Sequence, residues 1–181
     1  MELILAIVGI ALIAVIGVCF YIMRQGDADI QFIVDQRTKF RLVDMTETTA
    51  TFTCKVPFIN RGTQDGTIMD AFTRHLLPYE QYDGVKVASR LELESRPRTD
   101  GYFEAIIIPY GTGQAVVITV EFTAVRGNIR QALAEMVDMP IDIVYQVVAR
   151  SDWFITKARI IMTAEEIAEA IAAAQEQASG L

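Results

Sequence analysis

One histidine, one tryptophan and two cysteines are all that this chain holds of the side chains most often recruited for chemistry. With His75 as the sole imidazole, no metal site built on two histidines can form within one chain. Cys19 lies inside a long apolar run and Cys54 stands alone in the remainder. No disulfide framework follows, and nothing demands an oxidising compartment. Cations are also in deficit, 16 Lys and Arg against 23 Asp and Glu, for a net charge of −7. That balance excludes nucleic acid as a partner and argues against a basic face lying on anionic lipid. No cofactor is expected.

What the chain does have is concentrated at its front. From Leu3 to Met23, "LILAIVGIALIAVIGVCFYIM", there is no charge at all. A helix of that length covers about 30 Å, the hydrocarbon thickness of a bilayer. A secretory signal would need a basic start and a small-residue cleavage pair; Met1-Glu2 and "CFYIMRQ" supply neither. A lipoprotein anchor would want a small residue before its cysteine, and Val18 precedes Cys19. The segment therefore predicts a single membrane span over 1–23. Lys and Arg flank it on one side only, as Arg24, Arg37, Lys39 and Arg41. This bias favours an external N-terminus and a cytoplasmic globular domain.

Beyond a short polar linker, 24–29, strand-length segments alternate with turn residues. The clearest is "ATFTCKVPF", where Ala50, Phe52, Cys54, Val56 and Phe58 alternate with Thr51, Thr53, Lys55 and Pro57. A period of two places the first set on a buried face. Pro57 cannot donate to a ladder and belongs at an edge or near a strand end. Further strands are expected around 30–34, 40–45, 67–72, 85–94, 102–108, 115–125, 141–149 and 153–162. The run at 102–108 is apolar enough to be central, and "RSD" (150–152) joins the last two as a hairpin. Gly, Asp and Asn punctuate the joins.

Two helices interrupt this pattern. "NIRQALAEMVDMP" predicts one over 129–137, capped by Asn128 and ended by Pro140. "TAEEIAEAIAAAQEQA" predicts an acidic C-terminal helix over 164–181, in which Thr163 and Glu166 have capping-box spacing. Its narrow apolar stripe is Ile167, Ile171, Ala174 and Ala178. The predicted fold is mainly β: an immunoglobulin-like antiparallel β-sandwich over 30–163 with two accessory helices, preceded by one transmembrane helix.

The most polar stretch, "FINRGTQDGTIMDAFTRH" (58–75), lacks the Lys and following helix of a phosphate loop and the alternating ligands of a calcium loop. Ser89, Ser95 and Ser151 could be recruited to His75, yet none sits in the elbow that exposes a nucleophile. The stretch reads as a turn between strands, Cys54 as a small buried hydrophobe. Glu92 and Glu94 with Arg90 read as a solvated strand surface, and Arg90, Arg96 and Arg98 as a mixed-charge patch. Trp153, at a hairpin tip, reads as a core anchor first and an exposed aromatic for a partner second.

"VPFINRGTQDGTIMDAFTR", followed by "YFEAIIIPYGTGQAVVITVEF", resembles an immunoglobulin-like or fibronectin-type sandwich and, more loosely, the water-stress domain of late-embryogenesis proteins. The resemblance implies binding or scaffolding and carries over no catalytic residue. The expected function is thus a membrane-anchored, non-enzymatic interaction or scaffold module within a membrane-associated assembly. Trp153, Ile167 and Ile171 are its candidate contacts, with an unidentified protein or a second copy of the chain as partner. Two alternatives stand beside it. One is a carrier for an apolar ligand between sheets, lined by Phe52, Phe103 and Phe122. The other is a hydrolase using His75 with Asp70 or a serine.

Overall fold

The protein is described by a computed structural model covering residues 1–98, 100–150 and 153–179, with the side chains of 178 and 179 left aside. Helix α1, Glu2–Arg24, carries the apolar run and buries none of it against the rest of the chain. By length and composition it is able to cross a membrane.

Two antiparallel sheets follow. The first contains β1 (Ile30–Phe32), β2 (Arg41–Met45), β3 (Thr49–Asn60), β5 (Val85–Leu93) and β7 (Gly113–Ala124). Its order is β1-β3-β7-β5, with β2 also on β3. The second contains β4 (Gly66–His75), β6 (Ile106–Ile108), β8 (Met139–Val148) and β9 (Phe154–Met162), in the order β6-β4-β8-β9. Inward side chains of both sheets form one core, including Phe52, Val56, Ile68, Ile118, Phe122, Ile141 and Ile143.

The alternation expected in β3 is the one observed: Ala50, Phe52, Cys54, Val56 and Phe58 are buried. Pro57 lies near the end of this strand, three residues before Asn60. Its carbonyl accepts from Ile33 N, and its absent N–H falls on the same side, in the gap between β1 and β2. A single 3-10 turn, Val34–Gln36, occupies that gap, so no ladder bond is lost.

Other expectations are corrected. Of the run 102–108, only Ile106–Ile108 is strand, and it is an edge and not central. Phe103 still enters the core, from the loop before it. Helix α2 spans Ile129–Ala134 and stops well before Pro140. Pro140 lies in β8, opposite Ile161, and its carbonyl accepts from Leu76 N just past the end of β4. The Asn128 cap is present: Oδ1 accepts from Gln131 N at 2.9 Å.

Helix α3, Ala164–Ser179, closes the domain. Thr163 Oγ1 caps Glu166 N, which is half of a capping box. The Glu166 carboxylate leaves the helix instead of reaching back. It takes two hydrogen bonds from Arg37 at 2.8 Å and one from Phe40 N at 2.7 Å. Burial alone would raise the pKa of Glu166; the hydrogen bonds and charge of Arg37 and the Phe40 amide outweigh it and hold it low.

Candidate interaction surface

The polar stretch at 58–75 is a structural joint. Asn60, fully buried, ends β3 and satisfies all its amide groups. Oδ1 accepts from Asp29 N and Gly62 N, both at 3.0 Å. Nδ2 donates to the carbonyls of Gln64 at 2.8 Å and Ile108 at 3.0 Å. One side chain thus ties together the segment after α1, the β3–β4 loop and β6. Gly62 allows a close approach, since a Cβ there would lie 2.3 Å from the Asp27 carbonyl. The linker expected at 24–29 is consequently pinned along its length: Thr63 N donates to Asp27 O, and Arg61 N to Asp29 O. Sequence alone shows Asn60 only as a turn residue, because its partners lie far along the chain.

His75 ends β4 with its ring edge-on to Tyr79. Nδ1 is buried and meets no hydrogen-bond partner among the described residues, and burial lowers the ring's pKa. Asp70 faces outward and Thr73 inward on β4. Thr73 Oγ1 donates to Ser89 Oγ at 2.9 Å, while Ser95 Oγ donates to Gln114. Neither serine is brought to His75; Ser151, like part of the "RSD" turn, lies outside the described residues. Cys54 is buried in the core, and that burial pushes its thiol up to about 12.

The three phenylalanines considered as a ligand lining are themselves core. Phe52 and Phe122 meet edge to face at 5.8 Å, and Phe103 is buried with them. Clefts are found at the surface. One of about 440 Å³ runs between α3 and β2, lined by Lys39, Leu42, Glu169 and Gln177 among others.

The three residues expected to meet a partner separate. Ile167 is fully buried in its own domain's core and has no surface to offer, which removes it as a contact. Ile171 packs half-buried against the same core. The stripe of α3 therefore faces its own sandwich; Ala178 falls outside the described side chains. Trp153 is 61% exposed, so its reading as a core anchor is overturned.

Exposed apolar side chains collect on one outer face. A bulge between Ile68 and Asp70 shifts the register of β4, so that Phe72 points outward beside Val144 of β8. The row before it holds Asp70, Gln146 and Ile155; the next one Ile107, Thr67 and Val148. Phe72, Ile155 and Ile107 are 51%, 60% and 64% exposed. Lys157 of β9 completes the Phe72 row, and further along the face turns charged. Asp142 sits nearly covered at the outer surface, with Arg159 Nε at 2.6 Å and Lys157 Nζ at 3.0 Å. The Arg159 hydrogen bonds, against the opposing effect of burial, hold its pKa at about 2.

No family model matches the chain, and no curated relative does either. Several solved structures are similar in shape. A Bordetella pertussis protein assigned as ApaA aligns over 75% of this chain and 94% of its own, at 11% identity and a TM-score of 0.42. The GAE domain of yeast GGA1 aligns over 70% of this chain and 97% of its own, at 7% identity and a TM-score of 0.31. The CupB6 tip adhesin of Pseudomonas aeruginosa aligns over 71% and 45%, at 8% identity and a TM-score of 0.36. Likeness at this level carries no argument about function.

Proposed function

We propose that this chain is a bitopic, non-enzymatic interaction module: α1 crosses the membrane and the sandwich recruits a protein partner beside it. The observation that carries the reading is the apolar half of the outer face of the four-stranded sheet, around Phe72, Ile155 and Ile107. A clustered apolar patch on a polar-rimmed surface is the usual mark of a contact site. The anchor confines this face to two dimensions, where the effective concentration of a neighbouring membrane protein is high.

Strand order supports an immunoglobulin-like reading of the fold. With β1/β2, β3, β7 and β5 in one sheet and β4, β8 and β9 in the other, the chain follows the constant-type sandwich order. Strand β6 is an addition at the edge. The domain lies on the cytoplasmic side, as the one-sided Lys and Arg favour. Protease treatment of a C-terminally tagged chain tests this arrangement. The tag is expected to survive in intact cells and to be cut in inverted vesicles; cutting from outside would reverse the topology. The contact face is tested by native mass in mild detergent. Phe72→Asp with Ile155→Asp is expected to lower the assembly to the mass of the free chain, and an unchanged mass would reject the face.

A further inference from the structure

The end of the sandwich nearest α1 has a chemistry of its own. Gln25, one residue after the helix, accepts at its carbonyl from Thr63 Oγ1 at 2.7 Å and from Gln64 Nε2 at 3.2 Å. Gly26 turns the chain with a φ of +67°, and its carbonyl accepts from Arg150 Nη1 at 3.3 Å. Arg150 N donates to Asp27 Oδ1 at 3.1 Å. The 109–112 loop joins the same end, through Tyr110 N to Asp65 Oδ1 and Gly111 N to the Asn60 carbonyl. The β3–β4 and β8–β9 connections are therefore fastened within a few residues of the point where the apolar helix ends, and the β6–β7 connection is fastened in turn to the first of them.

From these connections two large aromatic side chains project. Tyr110 is 65% exposed and Trp153 is 61% exposed. Trp153 follows the connection that carries Arg150 and directly precedes Phe154, which pairs with Val147 at the end of β8. In the segments these bonds join, 24–29, 61–65, 109–112 and residue 150, the charges balance: Arg24, Arg61 and Arg150 against Asp27, Asp29 and Asp65. Two of these carboxylates are already committed to backbone amides, Asp27 to Ala28 N and Arg150 N, Asp65 to Tyr110 N.

We propose that Tyr110 and Trp153 form a rim that rests in the headgroup layer of the same bilayer that α1 crosses. The inference rests on the membrane-span reading of α1 and adds the fixed posture of the domain. If the hydrocarbon ends near Arg24, the loops bonded to Gln25 and Gly26 lie at headgroup depth, because no free linker separates them, and the Tyr110 loop, bonded to the first of these at Asp65, lies beside them. Trp and Tyr are the residues enriched at that depth, where an apolar ring and a polar tip are both satisfied. With charges balanced, the rim needs no anionic lipid, in keeping with the acidic chain as a whole.

The single tryptophan makes the rim directly measurable. The full chain is reconstituted into phosphatidylcholine vesicles, with and without phosphatidylcholine brominated high on its acyl chains, and insertion is scored separately by flotation after carbonate washing. In floating vesicles the Trp153 emission is expected to be blue-shifted, to lose most of its intensity to the brominated lipid, and to resist aqueous iodide. A floating chain whose Trp153 is quenched by iodide and not by the lipid would overturn the rim while leaving the anchor intact. A blue-shifted Trp153 insensitive to both quenchers would point to burial against protein and also overturn it. A chain that does not float removes the anchor and the rim together. Trp153→Phe with Tyr110→Trp moves the reporter across the rim, and the same lipid quenching is expected there; quenching by iodide alone at that position would reject the rim.

Discussion

The two outer faces of this sandwich come from one chain and one core, yet they differ in composition. On the five-stranded sheet, cross-strand rows read Thr51, Glu121, Ala88; Thr53, Thr119, Arg90; and Lys55, Val117, Glu92. Lys55 pairs with Glu94 at its margin. On the four-stranded sheet the rows nearest α1 read Ile107, Thr67, Val148; Asp70, Gln146, Ile155; and Phe72, Val144, Lys157, so apolar side chains outnumber charges there, and the next row, Arg74, Asp142, Arg159, is charged throughout. An antiparallel sheet needs one buried face, and water tolerates a polar second face. The first sheet meets that rule. The second departs from it on the half of its surface closest to the helix, where a membrane neighbour would stand.

The strongest disturbance is expected between the faces, at the joint that holds the sheets to the segment after α1. Asn60→Ala leaves the amides of Asp29 and Gly62 and the carbonyls of Gln64 and Ile108 without their partner. A loss of roughly 3 kcal/mol is expected, from the 1–3 kcal/mol cost of each buried group left unsatisfied and partial rescue by water. Urea unfolding of the full chain in detergent reads it directly.

Next in size is the contrast of the faces themselves. Phe72→Asp with Ile155→Asp should weaken association about ten-fold or more, the scale of a single interface hot spot. Thr51→Asp with Lys86→Glu on the opposite face should leave it unchanged. Quantitative co-isolation from native membranes compares the two, and equal effects would erase the distinction.

The charged end of the apolar face gives a smaller, pH-dependent effect. Asp142 is held at about 2, below an unfolded value near 4, so its contribution is present above that unfolded value and is lost as pH falls toward 2. Asp142→Asn should cost about 1–2 kcal/mol at neutral pH, because Lys157 and Arg159 remain half-exposed and can turn to water. Its difference from wild type should vanish in acid; a constant gap across pH would deny the ion pairs their role. Smallest is Lys55→Ala on the polar face, where an exposed pair contributes within about 0.5 kcal/mol, visible only as a minor shift in unfolding midpoint.

Much of the architecture was legible because period-two alternation survives where strands are regular. The buried face of β3 and the Asn128 cap could be read directly. The outward turn of Phe72 could not, because the bulge at Ile68/Asp70 changes which parity faces the core. The stripe of α3 was visible as a stripe, but spacing does not say whether Ile167 meets its own sheets or another chain. Trp153 was misread for a related reason: hydrophobicity favours burial, and only the fold shows that the position just before β9 is left 61% exposed. Pro140 resembles a helix stop in sequence, whereas β8 accepts it where β4 has already ended.

The central claim, that the apolar outer face is covered in the membrane and the polar one is not, is tested most directly by thiol accessibility. Ile155→Cys and Thr51→Cys are reacted with a membrane-impermeant maleimide in native membranes turned so that the domain meets the reagent; Cys54 is buried and Cys19 lies within α1. Position 51 is expected to label equally fast in membranes and after purification, while position 155 labels slowly in membranes and fast once purified. Equal labelling of the two positions in native membranes would contradict the account.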